Sequence, residues 1–263
     1  MNIDPSFVDK FKRYSIGFSI LGFWLLALLR PIFLNEVHFW LIATVFGCYL
    51  FSTYIHQRGH GIGAQKRGLH PKSIVMSPIM IIGHTEIPDF DEERNETKQY
   101  IIWRGLLSNV FLIVGGLIGV ALYRQHDTEF YLQILSGNLE ENSLKSFSFD
   151  VFCLLLIYVN IIKIIISVLP ISLLDGGLFL RAFYEERGYD DDVALQMVFK
   201  TSYWLGVVIF TILGILIIGK VLGTNIPIGF FDFLLIGTLG IALFMNGVGG
   251  NLLTKFEDKD FLW

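Results

Sequence analysis

Long apolar runs without a charged side chain constrain the fold of this chain more than any other feature. Four runs of 19 residues contain no Lys, Arg, Asp or Glu: 37–55, 105–123, 201–219 and 233–251. A helix of about 20 apolar residues crosses the hydrocarbon core of a bilayer, which is about 30 Å thick. Each run therefore predicts a transmembrane helix. The composition agrees, because only 17% of the residues are charged, against about a quarter in soluble domains.

Two further apolar segments are each interrupted by one charge, Arg30 in residues 15–34 and Lys163 in residues 151–174. The first is followed by Arg30-Pro31 and not by a small-residue cleavage site, so we expect it to remain as a helix. We therefore predict an all-α polytopic membrane protein with one domain over residues 1–263. Its six spans are predicted at about 15–34, 37–60, 102–123, 151–174, 201–220 and 230–251.

The basic residues of the loops indicate how the six spans are oriented. Loops on the side of the two termini contain 15 Lys and Arg residues, and loops on the other side contain four. Because basic residues concentrate in cytoplasmic loops, we expect both termini in the cytoplasm. The second and fourth spans then both run toward the cytoplasm, where they carry His56 and His60 on one and Asp175 on the other. We expect these three side chains at a similar depth.

The stretch Ile-His-Gln-Arg-Gly-His-Gly, residues 55–61, has the spacing of a metal site. Histidines at i and i+4 lie on one face of a helix, with Cβ atoms roughly 5–6 Å apart. Catalytic zinc takes three protein ligands, imidazole or carboxylate, and keeps a fourth position open. We predict that His56, His60 and Asp175 bind Zn2+, because ionisable groups at membrane depth are usually functional. The alternative is a hydrogen-bonded histidine pair, with Asp175 capping a turn.

Residue 57 determines what chemistry such a site performs. In a His-Glu-x-x-His site the glutamate accepts a proton from the attacking water and later delivers it to the leaving nitrogen. Gln57 is nearly isosteric with glutamate but does not accept that proton at neutral pH. We therefore predict zinc binding with little or no hydrolysis. The glutamine is either an inactivating replacement of the kind that traps a substrate, which we prefer, or the residue of a natural pseudoenzyme.

Three stretches resemble motifs of the site-2 protease family, which are intramembrane zinc metalloproteases. They are residues 56–60 with Ala64 and Gly68, Pro170 with residues 174–177, and residues 105–109. The first is similar to the family's His-Glu-x-Gly-His, the second to its Asn-x-x-Pro followed by Leu-Asp-Gly, and the third to its Gly-Pro-x-x-Asn. The order also resembles the family, with the histidines on the second span and the aspartate motif on the fourth.

The chain departs from these motifs at three positions. Gln57 replaces the general base, Leu106 replaces a proline, and Ser167 stands where the family has an asparagine that helps to hold the substrate or the oxyanion. The resemblance implies that residues 57 and 167 are the catalytic positions, with the shorter serine less suited to the role. Residues 124–149 are too few for the PDZ-like insert of many members. We therefore expect a minimal six-span core.

The resemblance implies a zinc-dependent endopeptidase that cleaves transmembrane or membrane-adjacent segments of protein substrates in regulated intramembrane proteolysis. A bacterial inner membrane is the location that the minimal core suggests by analogy. A helical substrate must unwind locally before water attacks, and an added strand is one way to hold it extended. Residues 72–88 contain β-branched runs broken by Pro78, Gly83 and Pro88. We predict a β-hairpin or re-entrant segment here that pairs with substrate, the alternative being an ordinary cytoplasmic loop.

Two other classes of function fit parts of the same pattern. A natural pseudoprotease would bind membrane segments as a scaffold or chaperone, and a glutamine codon at position 57 of the native gene would favour that alternative. A metal transporter is less favoured, because transport needs ligands along a path and the predicted ligands cluster at one depth. No basic run predicts nucleic-acid binding, so the expected partners are a membrane protein or peptide substrate and the lipid bilayer.

Overall fold

A computed structural model describes residues 39–77, 82–88, 90, 92–124, 128–129, 131, 148–172, 174–223 and 230–257. This part of the chain is mostly helical, as the sequence predicts. In chain order its elements are α1 (Phe39–Lys66), β1 (Ser73–Ser77), β2 (Ile82–Glu86), α2 (Asn95–Tyr123), α3 (Phe149–Ser167), α4 (Asp175–Glu186), α5 (Asp191–Val221) and α6 (Phe230–Glu257).

Four of these helices are long and apolar enough to cross a membrane. Within the described residues they are Asn95–Tyr123, Phe149–Ser167, Asp191–Lys220 and Phe233–Gly250, with mean hydropathies between 1.8 and 2.4. Large apolar side chains are exposed on them, including Phe111, Trp204 and Ile215 at more than 60%. Such surfaces suit contact with lipid, so these helices indicate a membrane protein.

The count of six spans is not settled by these four. The predicted span at 15–34 lies outside the described residues. The second predicted span is a helix, α1, but α1 is not among the four that meet the length and hydropathy requirement in the described part of the chain. Six spans and cytoplasmic termini stay predictions.

Two helix boundaries differ from those predicted by hydropathy. Helix α3 ends at Ser167 and not at 174, because Pro170 has no N–H to continue the helix and restricts the residue before it. Asp175 therefore begins a separate helix, α4, which corrects the predicted span of 151–174. Helix α5 begins at Asp191, ten residues before the predicted span, because hydropathy marks the membrane-embedded part and not the polar first turns.

Contacts divide the chain into two compact units. Unit I is Ala27–Ser167 and holds α1, β1, β2, α2 and α3. Unit II is Met1–Leu26 with Val168–Trp263, and its described part holds α4, α5 and α6. The single domain of residues 1–263 stays a prediction.

Small residues let the helices of unit I pack closely. A Cβ atom on Gly59 of α1 would collide with Ser108 Oγ and lie 2.6 Å from the carbonyl oxygen of Arg104 on α2. A Cβ atom on Gly116 of α2 would lie 3.1 Å from the carbonyl oxygen of Cys153 on α3. Close approach at small residues is how helices associate in membranes, where lipid competes for apolar contact. Helix α2 therefore approaches both α1 and α3 at short distance.

The strands β1 and β2 pair antiparallel, in register from Ser73 opposite Glu86 to Ser77 opposite Ile82. They follow α1, which ends at Lys66, and Gly68 just after it has a φ of +83°, a conformation that glycine adopts at low cost. Both strands contact α1. The pair lies where the sequence predicts a β-hairpin or re-entrant segment, but the residues joining the strands, 78–81, lie outside the described part. Membrane insertion of this pair stays a prediction.

Helices α5 and α6 pack along each other in unit II, again through glycine. A Cβ atom on Gly206 of α5 would lie 2.8 Å from the backbone nitrogen of Phe244 on α6. Asn246 of α6 holds the segment between α3 and α4, since its Oδ1 accepts a hydrogen bond from Ser172 Oγ at 3.0 Å. Its Nδ2 donates to the carbonyl oxygen of Pro170 at 3.4 Å. The turn that precedes Asp175 is therefore fixed to α6.

Candidate metal centre

The two histidines of α1 point toward each other as a helix spacing of four requires. His56 and His60 are both buried, at 4% and 7% exposure. Their Nε2 atoms lie 3.1 Å apart, and the rings are almost perpendicular, at 89°. Two nitrogens at 2.0–2.1 Å from one tetrahedral zinc ion are expected about 3.3 Å apart. The pair therefore fits shared coordination of one ion through both Nε2 atoms.

Helix α2 orients His60 through its backbone. His60 Nδ1 lies 2.9 Å from the carbonyl oxygen of Ile101. A carbonyl only accepts hydrogen bonds, so Nδ1 carries the hydrogen and the lone pair of the neutral ring lies on Nε2. Gly105 provides the space for this ring, because a Cβ atom there would lie against Cε1 and Nε2 and 2.8 Å from Nδ1. A side chain at position 105 would displace the histidine.

The same face of α2 holds His56 one turn further along. Asn109 is fully buried, and its Nδ2 lies 3.0 Å from His56 Nδ1. Ile101, Gly105 and Asn109 are spaced by four residues and so form one stripe on α2. That stripe supplies a carbonyl, a space and an amide behind the histidine pair. Partners of this kind commonly fix the orientation of metal-binding histidines.

Residue 57 is held by the strand β2. Gln57 is 8% exposed, and its Oε1 accepts a hydrogen bond from Thr85 Oγ1 at 2.8 Å. The same hydroxyl lies 2.9 Å from the backbone carbonyl oxygen of Gln57. One hydroxyl hydrogen is thus shared between two oxygens of one residue. The strand β2 consequently fixes the side chain of residue 57, which follows His56 directly in the sequence.

A cleft of about 340 Å3 lies between α1 and the strands. Arg58 and Gln65 of α1, Ile74 of β1 and Thr85 of β2 are among its lining residues. Thr85 therefore takes part both in the cleft and in the hydrogen bonds to Gln57. An extended segment in this cleft would pass close to residue 57.

The other two predicted site residues lie at the ends of helices. Ser167 is the last residue of α3 in unit I and is half-buried. Asp175 is the first residue of α4 in unit II. Imidazole nitrogen and carboxylate oxygen are both donors that zinc accepts, so His56, His60 and Asp175 are of the right residue types for a metal ligand set.

The two glycines after Asp175 set the start of α4. A Cβ atom on Gly177 would collide with the carbonyl oxygen of Ile171 and lie 2.8 Å from the backbone nitrogen of Ser172. A Cβ atom on Gly176 would meet the backbone of Val168 and Leu169. Helix α4 therefore begins pressed against the turn that precedes it. The Asp-Gly-Gly sequence places the aspartate on a tightly folded corner.

Three contributors to this centre are not assigned by sequence reasoning. The carbonyl of Ile101 leaves no trace in a sequence, because every residue has one. Thr85 lies 28 residues from Gln57 along the chain, and nothing local links them. Asn109 belongs to a quoted motif, and its spacing from Gly105 is a signal that it shares the histidine-facing side of α2.

No protein-family model matches this chain, and no curated protein matches its sequence. The likeness to site-2 proteases therefore rests on the quoted motifs.

Proposed function

We propose that this protein is a zinc-dependent intramembrane endopeptidase whose general base is replaced by Gln57. The observation that carries the proposal is the buried histidine pair, with Nε2 atoms 3.1 Å apart and residue 57 between them in the sequence. A pair of this geometry in an apolar helix bundle has few structural uses that justify the cost of burying it.

In this proposal His56, His60 and Asp175 hold one zinc ion, each through one donor atom. Two imidazoles and one carboxylate are a ligand set of catalytic zinc, which leaves one coordination position for water or substrate. When bound, zinc supplies Lewis acidity toward the peptide carbonyl and promotes ionisation of water. The protein's own contribution is to orient His56 through Asn109 and His60 through Ile101.

The side chain at position 57 accepts the proton of the attacking water when it is a glutamate. Thr85 would donate to a glutamate as it does to Gln57 Oε1, so the position is already oriented for the base. A glutamine in the same place holds water by hydrogen bonding but cannot take its proton. A positioned general base contributes about 10²–10⁴-fold to the rate, and this chain is expected to lack that factor.

The substrate class proposed is a membrane segment of another protein. The histidines lie on a helix that packs against α2, which is long and apolar enough to span a membrane. A peptide reaching this site must be extended, because helical hydrogen bonds protect the scissile carbonyl. The cleft between α1 and the strands offers a place for such a segment beside residue 57.

The test is to restore the base with Gln57→Glu and to measure cleavage of a membrane-spanning peptide with helix-destabilising residues. We expect the rate to rise by about 10²–10⁴-fold. Gln196→Glu is the matched control, because it makes the same change at a half-buried position of α5 that does not line the cleft. His60→Ala added to Gln57→Glu should abolish the activity.

A second candidate is a pseudoprotease that binds membrane segments without cutting them. A glutamine codon at position 57 of the native gene would favour it, since a scaffold has no need to accept a proton. If Gln57→Glu binds zinc but cleaves none of the peptides that the unchanged chain retains, the endopeptidase proposal is rejected in favour of the scaffold.

A further inference from the structure

One row of hydrogen bonds runs through the histidine pair from side to side. Asn109 Nδ2 lies 3.0 Å from His56 Nδ1, the two Nε2 atoms lie 3.1 Å apart, and His60 Nδ1 lies 2.9 Å from the carbonyl oxygen of Ile101. Because that carbonyl accepts, His60 Nε2 is also an acceptor. With both rings neutral, the row has one direction that pairs every donor with an acceptor: Asn109 donates to His56, and His56 donates to His60.

This direction conflicts with a metal ion at the middle contact. An ion held by both Nε2 atoms needs a lone pair on each, so His56 must then carry its hydrogen on Nδ1. The Nδ2 group of Asn109 is also a donor, and two donors facing each other at 3.0 Å repel. The opposing atom must become an acceptor for His56 to bind metal.

The acceptor is already present on the same side chain. Asn109 Oδ1 is buried and makes no hydrogen bond within the part of the chain that the structure describes. A half-turn of the amide exchanges its oxygen and nitrogen without changing the shape of the side chain. This rotation would give the buried Asn109 Oδ1 a hydrogen bond and would provide the acceptor that His56 Nδ1–H needs.

We propose that Asn109 is a positioning residue that determines which nitrogen of His56 carries the hydrogen, and that its amide turns over when metal binds. The inference rests on the metal site of the proposed function. Metal-binding histidines commonly donate their second nitrogen to a carboxylate or carbonyl oxygen, and Asn109 Oδ1 takes that place here. Neither the sequence motif nor the histidine spacing assigns this role.

Two replacements of Asn109 test whether its role is to accept a hydrogen bond from His56 or only to fill the space beside it. Asn109→Asp keeps the shape of the side chain and only accepts hydrogen bonds. Asn109→Leu keeps a similar size and neither accepts nor donates them. We expect Asn109→Asp to bind zinc as tightly as the unchanged chain or more tightly in chelator competition. Asn109→Leu should bind about 10–100-fold more weakly. When cobalt replaces zinc, the visible absorption of the Asn109→Asp variant should keep the intensity typical of tetrahedral coordination.

Asn160 is the matched control. It is fully buried in α3, and its amide donates to Ser52 Oγ and to the carbonyl oxygen of Leu156 at 2.8 Å each. Asn160→Leu and Asn160→Asp should leave zinc affinity unchanged. The proposal is overturned if Asn109→Asp is as weak as Asn109→Leu, if Asn109→Leu binds as the unchanged chain does, or if Asn160→Leu weakens binding equally.

A second measurement does not depend on metal binding. Nuclear magnetic resonance of isotope-labelled histidine in the metal-stripped full chain, at alkaline pH, reports which ring nitrogen carries hydrogen. His56 should carry it on Nε2 in the unchanged chain and on Nδ1 in Asn109→Asp. The same position in both would overturn the role of Asn109. If the unchanged chain binds no zinc, the proposed function fails, yet this comparison still decides whether Asn109 controls the His56 ring.

Discussion

Replacing Gly105 with alanine is expected to weaken metal binding. The new Cβ atom would lie against Cε1 and Nε2 of His60 and 2.8 Å from its Nδ1. Carbon contacts are comfortable at about 3.5–4.0 Å, so the ring must move by roughly 1 Å. That movement breaks the 2.9 Å hydrogen bond from His60 Nδ1 to Ile101 and turns Nε2 away from its partner.

The magnitude follows from that lost bond. A buried group deprived of its partner costs about 1–3 kcal/mol. At 1.4 kcal/mol per tenfold in affinity, zinc binding should fall by about 5- to 150-fold. The assay is competition for zinc against a chelator of known affinity, on detergent-purified protein, with thermal unfolding measured in parallel.

Gly115→Ala is the control, because Gly115 lies on the same helix and a Cβ atom there has no atom within 4 Å in the described structure. Both replacements give α2 the same gain in helix propensity, about 1 kcal/mol in soluble helices. Any difference in zinc affinity therefore reports the contact with His60. Equal affinities of Gly105→Ala and Gly115→Ala would refute the argument that Gly105 makes room for a metal-binding histidine.

Two further changes address unit II. Asp175→Ala should lower the zinc content, measured by elemental analysis, from about one ion per chain to a small fraction. Asp192→Ala, at the exposed start of α5, should leave the zinc content unchanged. Equal zinc content in the two variants would remove Asp175 from the ligand set. Gly177→Ala should destabilise the protein by about 1–3 kcal/mol, because its Cβ atom would meet the rigid backbone of Ile171. Gly214→Ala, with no atom within 4 Å, is the control for melting temperature, and an equal melting temperature would count against a tight corner at α4.

Much of the fold can be predicted from the sequence, because long apolar helices depend on local composition. Runs such as 105–123 and 201–219 lie within helices of the structure. Boundaries are less predictable, since hydropathy continues past residue 167 while Pro170 ends the helix. The start of α5 at Asp191 is likewise not predicted by hydropathy, because the first turns of this helix are polar.

The histidine pair was predictable for the same local reason. A spacing of four in a helix brings His56 and His60 together whatever surrounds them, and the quoted motif already contains residue 57. The strand pair after α1 lies where the β-branched runs broken by Pro78, Gly83 and Pro88 predict strands. What such patterns do not contain is the identity of the groups that face the histidines.

The sequence alone determined the membrane class and the histidine pair, because both follow from composition and from contacts within one or two helical turns. The tertiary structure alone decided which groups orient the pair: the carbonyl of Ile101, the amide of Asn109 and the hydroxyl of Thr85. These contacts join residues 41, 53 and 28 positions apart. Contacts over such separations depend on how α2 and β2 pack on α1, which no local pattern specifies.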